Sequence, residues 1–72
     1  GMEIEFVKRL NDPSIRYTVE CSSDLVNWHS GADYFEAVDL GEDAENSGRT
    51  RYRVIGNDKA NSFVRVLVEQ EN

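Results

Sequence analysis

A strict alternation of apolar and polar side chains constrains this chain more than any other feature. Within residues 15–21 every second position is apolar: Ile15, Tyr17, Val19 and Cys21. Residues 49–55 repeat the pattern, with Thr50, Tyr52 and Val54 on one side and Arg49, Arg51 and Arg53 on the other. Because successive side chains of a β-strand point to opposite faces, a period of two predicts strands with one buried face.

Five segments are predicted to be strands, and they follow one another without a helical spacer. The predicted strands cover residues 3–9, 15–21, 34–40, 49–55 and 62–69; residues 41–48, which are acidic, are predicted to be a loop, and residues 56–61 a turn. Closely spaced strands favour antiparallel pairing. We therefore expect an all-β fold, a small antiparallel sandwich or half-open barrel of about five strands, in a single domain over residues 1–72.

The last predicted strand is apolar on both faces except at Arg65. The side chains assigned inward are Val64, Val66 and Val68, and those assigned to the second face are Phe63 and Leu67; the opposite register is the alternative. A strand that is apolar on both faces is typical of one that is covered on both sides. We expect this strand to lie in the middle of the fold or under a loop.

Residues 17–28, YTVECSSDLVNW, connect a strand to the only tryptophan of the chain. Residues 22–24 have short polar side chains that hydrogen-bond neighbouring backbone groups, which favours a capped turn. Leu25 and Val26 are expected to fold back onto the core. We expect the indole of Trp28 to cover the open end of the small sheet.

Composition limits how the fold is stabilised and what it binds. With 72 residues and one cysteine, the chain has no internal disulfide and depends on a compact apolar core. Its net charge of −6 argues against nucleic acid and anionic membranes as partners, because their phosphates attract basic surfaces. No apolar run approaches the ~20 residues that span a bilayer, so no membrane insertion is expected.

We expect the 72 residues to be a piece of a longer protein, because of how the N-terminus begins. Gly1 before Met2 is typical of a residue left by the removal of an affinity tag. The first residues lack the basic and then apolar pattern of a signal peptide. In a piece of a longer protein, this lack does not locate the parent protein.

The pattern Y-x-V-E-x-S-x-D-L-x-x-W, followed after residue 62 by F-x-R-x-x-V, resembles a known module. It is similar to a small C-terminal β-sandwich module of large secreted or surface proteins of verrucomicrobial and planctomycete bacteria. The matching residues are Tyr17, Val19, Glu20, Ser22, Asp24, Leu25 and Trp28, then Phe63, Arg65 and Val68. A looser likeness to two strands of fibronectin type III (Ig-like) domains exists as well. The resemblance implies an extracellular or cell-surface accessory domain, and it carries no catalytic residue.

Residues suited to catalysis or metal binding are few. His29 and Cys21 are the only histidine and the only cysteine, and Cys21 belongs to an inward series, so the spacing of a zinc site is not present. Ser23, Asp24 and Ser30 lie near His29, but no nucleophile elbow accompanies them. We expect no enzyme activity, no catalytic or metal-ligating residue and no cofactor.

The acidic segment raises the question of calcium. Its oxygen-bearing side chains are Asp39, Glu42, Asp43, Glu45 and Asn46. Calcium binds such oxygens, but these acids do not alternate as they do in an EF-hand. A solvated acidic loop is favoured, and calcium binding stays open.

Two groups of side chains are candidate ligand surfaces. Trp28, His29 and Tyr34 could form an aromatic platform for a sugar, although rings that fill a small core are favoured. The stripe Arg49, Arg51 and Arg53 could meet an anionic partner. Pairing of the stripe with Glu3, Glu5, Glu20 or Glu36 is favoured instead, because acids outnumber bases fourteen to eight.

These observations favour a non-catalytic structural or interaction module, an accessory domain of a larger secreted or cell-surface bacterial protein. Its expected partners are neighbouring domains of that protein, another protein or a carbohydrate. The alternative is a carbohydrate-binding module that uses the aromatic platform around Trp28. Exposed strand edges also allow a homodimer, most readily through the first strand.

Overall fold

The computed structural model describes residues 2–55 and 61–71, which contain five strands and no helix. The strands are β1 (Glu3–Arg9), β2 (Ile15–Ser22), β3 (Phe35–Ala44), β4 (Ser47–Val54) and β5 (Phe63–Gln70). The predicted all-β class is confirmed, and the predicted bounds of β1, β2 and β5 agree within one residue. Most of the turn predicted at 56–61 lies outside the described residues.

The strands form two antiparallel sheets. The larger sheet has the order β1-β4-β3, and the smaller sheet pairs β2 with β5. β3 and β4 form a hairpin, whereas the pairs β1–β4 and β2–β5 join strands that are far apart in the sequence. The sheets are not closed into a barrel, and among the residues that the structure describes both sheets keep edges with no further strand paired to them.

The core lies between the two sheets and is small. Its buried apolar residues are Val19 and Cys21 of β2 and Phe35 of β3. Half-buried side chains from both sheets, and Tyr34 just before β3, pack around them: Ile4, Phe6, Tyr34, Tyr52, Val54, Val64 and Val66. The rings of Phe6 and Tyr17 add a contact between the sheets, with centroids 6.0 Å apart. β1, β2 and β4 thus place alternate side chains inward, as their period of two predicts.

The prediction of a loop at residues 41–48 is wrong. β3 continues to Ala44, the chain turns at Glu45 and Asn46, and β4 begins at Ser47. Asn46 has φ of 61°, a conformation that asparagine tolerates in tight turns. Two residues therefore reverse the chain where eight were expected to do so.

A β-bulge explains why the strand pattern is hidden in this segment. The pairing of β3 with β4 shifts register first between Asp39 and Glu42, and again between Glu42 and Ala44. Gly41 lies inside the shift with φ of 96°, and its amide donates a hydrogen bond to the Asp39 carboxylate at 2.8 Å. An extra residue breaks the alternation, so the sequence reads as irregular although the strand continues.

β5 is not covered on both faces, which corrects the prediction for this strand. Within the described part of the chain it pairs only with β2, at the edge of the smaller sheet. Phe63 and Leu67, on its outer face, are 42% and 36% exposed, and Val68, assigned inward, is 62% exposed. The reason is tertiary: neither another sheet nor a helix of the described residues lies over the outer face of β2 and β5.

None of the described residues forms a helix with the length and apolar character needed to span a membrane.

Candidate functional site

Two short polar side chains hold the turn after β2. The Ser22 hydroxyl accepts hydrogen bonds from the amides of Asp24 and Leu25, at 3.2 and 2.9 Å. The Asp24 carboxylate accepts hydrogen bonds from the backbone amides of Val26 and Asn27, at 2.9 and 2.8 Å. It also accepts one from the Asn27 side-chain amide, at 2.8 Å. The hydrogen bond from the backbone amide of Asn27 contributes most to holding the pKa of Asp24 well below its ordinary value. The predicted capped turn is confirmed.

The same turn places Leu25 and Val26 at the surface, so the expectation that they fold back onto the core is wrong. Leu25 has φ of 66°, and its side chain is 57% exposed; Val26 is 77% exposed. The backbone amides of the turn point inward to the Ser22 hydroxyl and the Asp24 carboxylate. The side chains of the same residues are therefore directed outward.

Trp28 lies on the outer face of the β2–β5 sheet and not over the open end of the core, as was predicted. The guanidinium carbon of Arg65 is 3.8 Å from the indole ring centroid, and Arg65 Nε donates to Glu20 Oε1 at 2.8 Å. The indole Nε1 donates to the Leu25 carbonyl at 3.2 Å. This arrangement is a cation–π contact, with the cation positioned by a carboxylate.

His29 and Tyr34 form a separate aromatic pair. The amide and carbonyl of His29 exchange hydrogen bonds with those of Cys21, both at 2.9 Å. Directly opposed residues share a face, so His29 lies on the core side with Cys21, and the preceding Trp28 points to the other face. The His29 ring stacks on Tyr34 at 4.7 Å with an interplanar angle of 10°. The predicted platform of Trp28, His29 and Tyr34 is therefore not one surface.

Exposed apolar side chains accompany the half-buried Trp28 and its contact with Arg65. The alternation of β5 places Phe63 and Leu67 on the same face as Arg65, and the turn contributes two more apolar side chains. We call this group the outer apolar surface: Leu25, Val26, Trp28, Phe63 and Leu67. Isolated exposed apolar residues are ordinary, but a group of them indicates a contact surface.

Each arginine of the predicted stripe has an acidic partner on its own sheet. The pairs are Arg49 with Asp43, Arg51 with Glu5 and Glu3, and Arg53 with Glu36, at nitrogen–oxygen distances of 2.7, 2.8, 3.7 and 3.0 Å. Of the four expected partners, only Glu20 pairs elsewhere, with Arg65. Exposed ion pairs of this kind add little stability, but here they compensate the positive charge of the stripe.

The acids considered as calcium ligands are distributed along the β3–β4 hairpin. Asp39 accepts the Gly41 amide, and Asp43 pairs with Arg49. Over residues 2–55 and 61–71, no group of three or more His, Cys, Asp and Glu side chains lies close enough to hold a metal ion. A loop would have allowed these acids to converge, whereas a strand sends successive side chains to opposite faces.

Lys8 contacts the core aromatics, which sequence reasoning missed. Its Nζ donates to the Tyr52 hydroxyl at 3.1 Å. The same atom lies 5.7, 5.8 and 5.2 Å from the ring centroids of Phe6, Tyr17 and Tyr52. The alternation of β1 contained the signal, because Lys8 continues the inward series of Ile4 and Phe6. A cation is tolerated there because the ring faces and the hydroxyl replace part of its hydration.

A groove of about 370 Å³ lies between the open edges of β2 and β3. Its walls include Tyr17 and Val19 of β2, Phe35 and Ala37 of β3, and Tyr52 of β4. Residues 30–32, which connect the two sheets, line one end. We call this feature the β2-edge groove.

Comparison with known proteins adds no relative: no protein-family model, curated protein or solved structure matches the chain. The likeness to a bacterial accessory module therefore rests on its sequence motif alone. Functional inference depends on the geometry described above.

Proposed function

We propose that the chain is a non-catalytic structural and interaction module, an accessory domain of a larger secreted or cell-surface bacterial protein. The outer apolar surface carries this proposal. It lies on a sheet whose outer face is covered by no other element of the described residues, with Phe63 and Leu67 on either side of the Trp28–Arg65 contact. Aromatic and arginine side chains together are typical of the centres of protein interfaces. The occupant proposed is a neighbouring domain of the same protein.

The polar residues around His29 support a structural role. A general base needs a nucleophile within reach and an acid that orients it. Here the Asp24 carboxylate is engaged by the amides of its own turn, and the His29 ring is stacked on Tyr34. Both groups serve the connection between β2 and β3.

Hydroxyl-radical footprinting of the parent protein and of the isolated domain tests the proposal. We expect the oxidation of Trp28, Phe63 and Leu67 to be strongly reduced in the parent protein. Val7 and Val38, 40% and 41% exposed on the other sheet, are matched controls and should react equally in both samples. Equal oxidation of the outer apolar surface in both samples would contradict a contact there. Fractionation of the producing bacterium tests the location, and a purely cytoplasmic parent protein would overturn that part.

Carbohydrate binding is the second candidate, and the position of Trp28 outside the core favours it. The ring is half-buried and one region of it contacts Arg65, so a sugar would have to stack on what remains. Tryptophan fluorescence during titration with soluble oligosaccharides measures this directly. A saturable change in Trp28 fluorescence, together with calorimetric binding of the same oligosaccharide that Trp28→Ala abolishes, would favour the sugar, whereas an indole quenched by acrylamide but unaffected by oligosaccharides would exclude it.

A further inference from the structure

The smaller sheet has a position for a third strand, which the described chain fills at one residue only. His29 pairs antiparallel with Cys21 on the side of β2 that faces away from β5. Two residues later, Gly31 has φ of 97°, and its carbonyl accepts hydrogen bonds from the amides of Tyr34 and Phe35. The chain thus turns away toward β3 and leaves the edge of β2.

The backbone of β2 presents hydrogen-bonding groups along this edge. Both main-chain groups of Cys21 point toward His29, so the alternation of an antiparallel strand directs those of Val19 and Tyr17 to the same side. Among residues 2–55 and 61–71, no strand pairs with Val19 or Tyr17 on that side. An open edge of this kind is a template for another strand.

The β2-edge groove lies directly beside these backbone groups. Its described walls are uncharged and largely apolar, with Phe35 and Ala37 opposite Tyr17 and Val19. An extended segment bonded to β2 would point every second side chain into the groove and the others outward. Backbone pairing and alternate apolar side chains are the two features by which such segments are recognised.

We propose that the β2-edge groove binds an extended segment of another polypeptide, which adds to β2 as an antiparallel strand in line with His29. Charge selects among the possible occupants. The domain has a net charge of −6, and five of the seven basic residues that the structure describes pair with its own acids, so a second copy would meet like charge. The favoured occupant has small or β-branched residues at alternate positions and basic residues around them. This site is distinct from the outer apolar surface and does not depend on the function proposed for it.

Selection from a displayed library of random decapeptides, with the isolated domain as target, tests this proposal. We expect enriched peptides with apolar residues at every second position and an excess of Lys and Arg. An enriched peptide is then synthesised with single N-methyl groups on successive amides. Methylation should abolish binding at alternate positions only, namely those whose amides face β2. Failure to enrich any peptide, or loss of binding without that alternation, would overturn the proposal.

Two variants of β3 locate the binding site. Ala37→Trp fills the groove with a large ring and should weaken an enriched peptide about tenfold or more. Val38→Trp changes the next residue, which is 41% exposed on the opposite face of the same strand, and should leave binding unchanged. If both variants bind equally well, the peptide lies elsewhere and the assignment is wrong. Sedimentation of the domain alone addresses the second copy: a dimer that Ala37→Trp disrupts would replace the foreign segment as the occupant.

Discussion

At the scale of single residues, Ser22 and Asp24 decide what surrounds Trp28. Ser22 is fully buried. Its hydroxyl accepts hydrogen bonds from the backbone amides of Asp24 and Leu25, and it donates one to the Asp24 carboxylate at 3.0 Å. The turn that they hold is the reason why Leu25 and Val26 face outward. Small polar side chains thereby create an apolar surface, because they satisfy the amides that would otherwise need water or a strand partner.

Replacement of the capping hydroxyl should destabilise the domain. We expect Ser22→Ala to lower the free energy of unfolding by about 1–2 kcal/mol, because two amides lose their acceptor in a buried place. Urea denaturation followed by far-UV circular dichroism measures the loss. Ser23→Ala, an exposed neighbour, is the matched control and should change little. Equal effects of the two substitutions would show that the cap contributes nothing specific.

Asp24 should make the stability of the domain sensitive to acid. The ordinary pKa of its carboxyl is 3.8, and the turn amides hold the folded pKa far lower. A depressed folded pKa stabilises the fold above the ordinary value, and this contribution is lost as the pH falls below about 5 toward the folded pKa. We expect the urea midpoint to fall with decreasing pH in this range, and to fall less steeply in Asp24→Asn. Parallel pH profiles of the two proteins would contradict this role.

At the scale of elements, the β3–β4 hairpin shows how one glycine preserves a strand through an irregular sequence. Gly41 takes a left-handed backbone conformation inside the register shift, and its amide donates a hydrogen bond to the Asp39 carboxylate. A Cβ atom built on Gly41 meets no atom within 4 Å. The glycine is therefore required for its φ and not for space.

Gly41→Ala should cost stability through the backbone alone. We expect a decrease in the free energy of unfolding of about 1–2 kcal/mol, the usual cost of a left-handed conformation for a residue with a Cβ atom. Thermal unfolding measures it. Glu42→Ala, at the next position, is the control for changing an exposed residue of the same strand, and it should have a small effect on the free energy of unfolding. An unchanged unfolding temperature in Gly41→Ala would mean that the bulge relaxes without strain.

At the scale of the whole molecule, open strand edges favour the association of two copies, and the net charge opposes it. β1 lies at an edge of the larger sheet, as expected for the strand considered for dimerisation, and both sheets keep open edges. Edge strands favour association through their backbone groups. The charge of −6 opposes association of two copies, and it does so less when salt screens it.

Self-association through β1 should therefore depend on ionic strength. We expect a monomer at low salt and a growing dimer fraction as sodium chloride increases, because screening removes the repulsion between two copies. Sedimentation equilibrium at several protein concentrations measures both states. Footprinting should then protect β1 in the dimer and leave β5 unchanged. A dimer that dissociates as salt increases would mean that attraction between opposite charges holds it, contrary to this expectation.

The period of two in the sequence determined the strands and the side chains that each turns inward, because alternation is a property of the local backbone. It identified Val19, Tyr52 and Val54 as inward-facing, and the short polar residues after β2 as a capped turn. The bulge at Gly41 was the exception, because one extra residue erases the local pattern.

Only the tertiary structure decided which strands pair and which surfaces stay exposed. Two of the three strand pairs join segments that are distant in the sequence. The alternation within one strand does not determine which other strand pairs with it. For the same reason, the sequence did not separate Trp28 from His29 and Tyr34, or show that the outer face of β5 is open. Whether a face meets another layer or solvent depends on how many elements the whole chain supplies, and here two sheets share one interior.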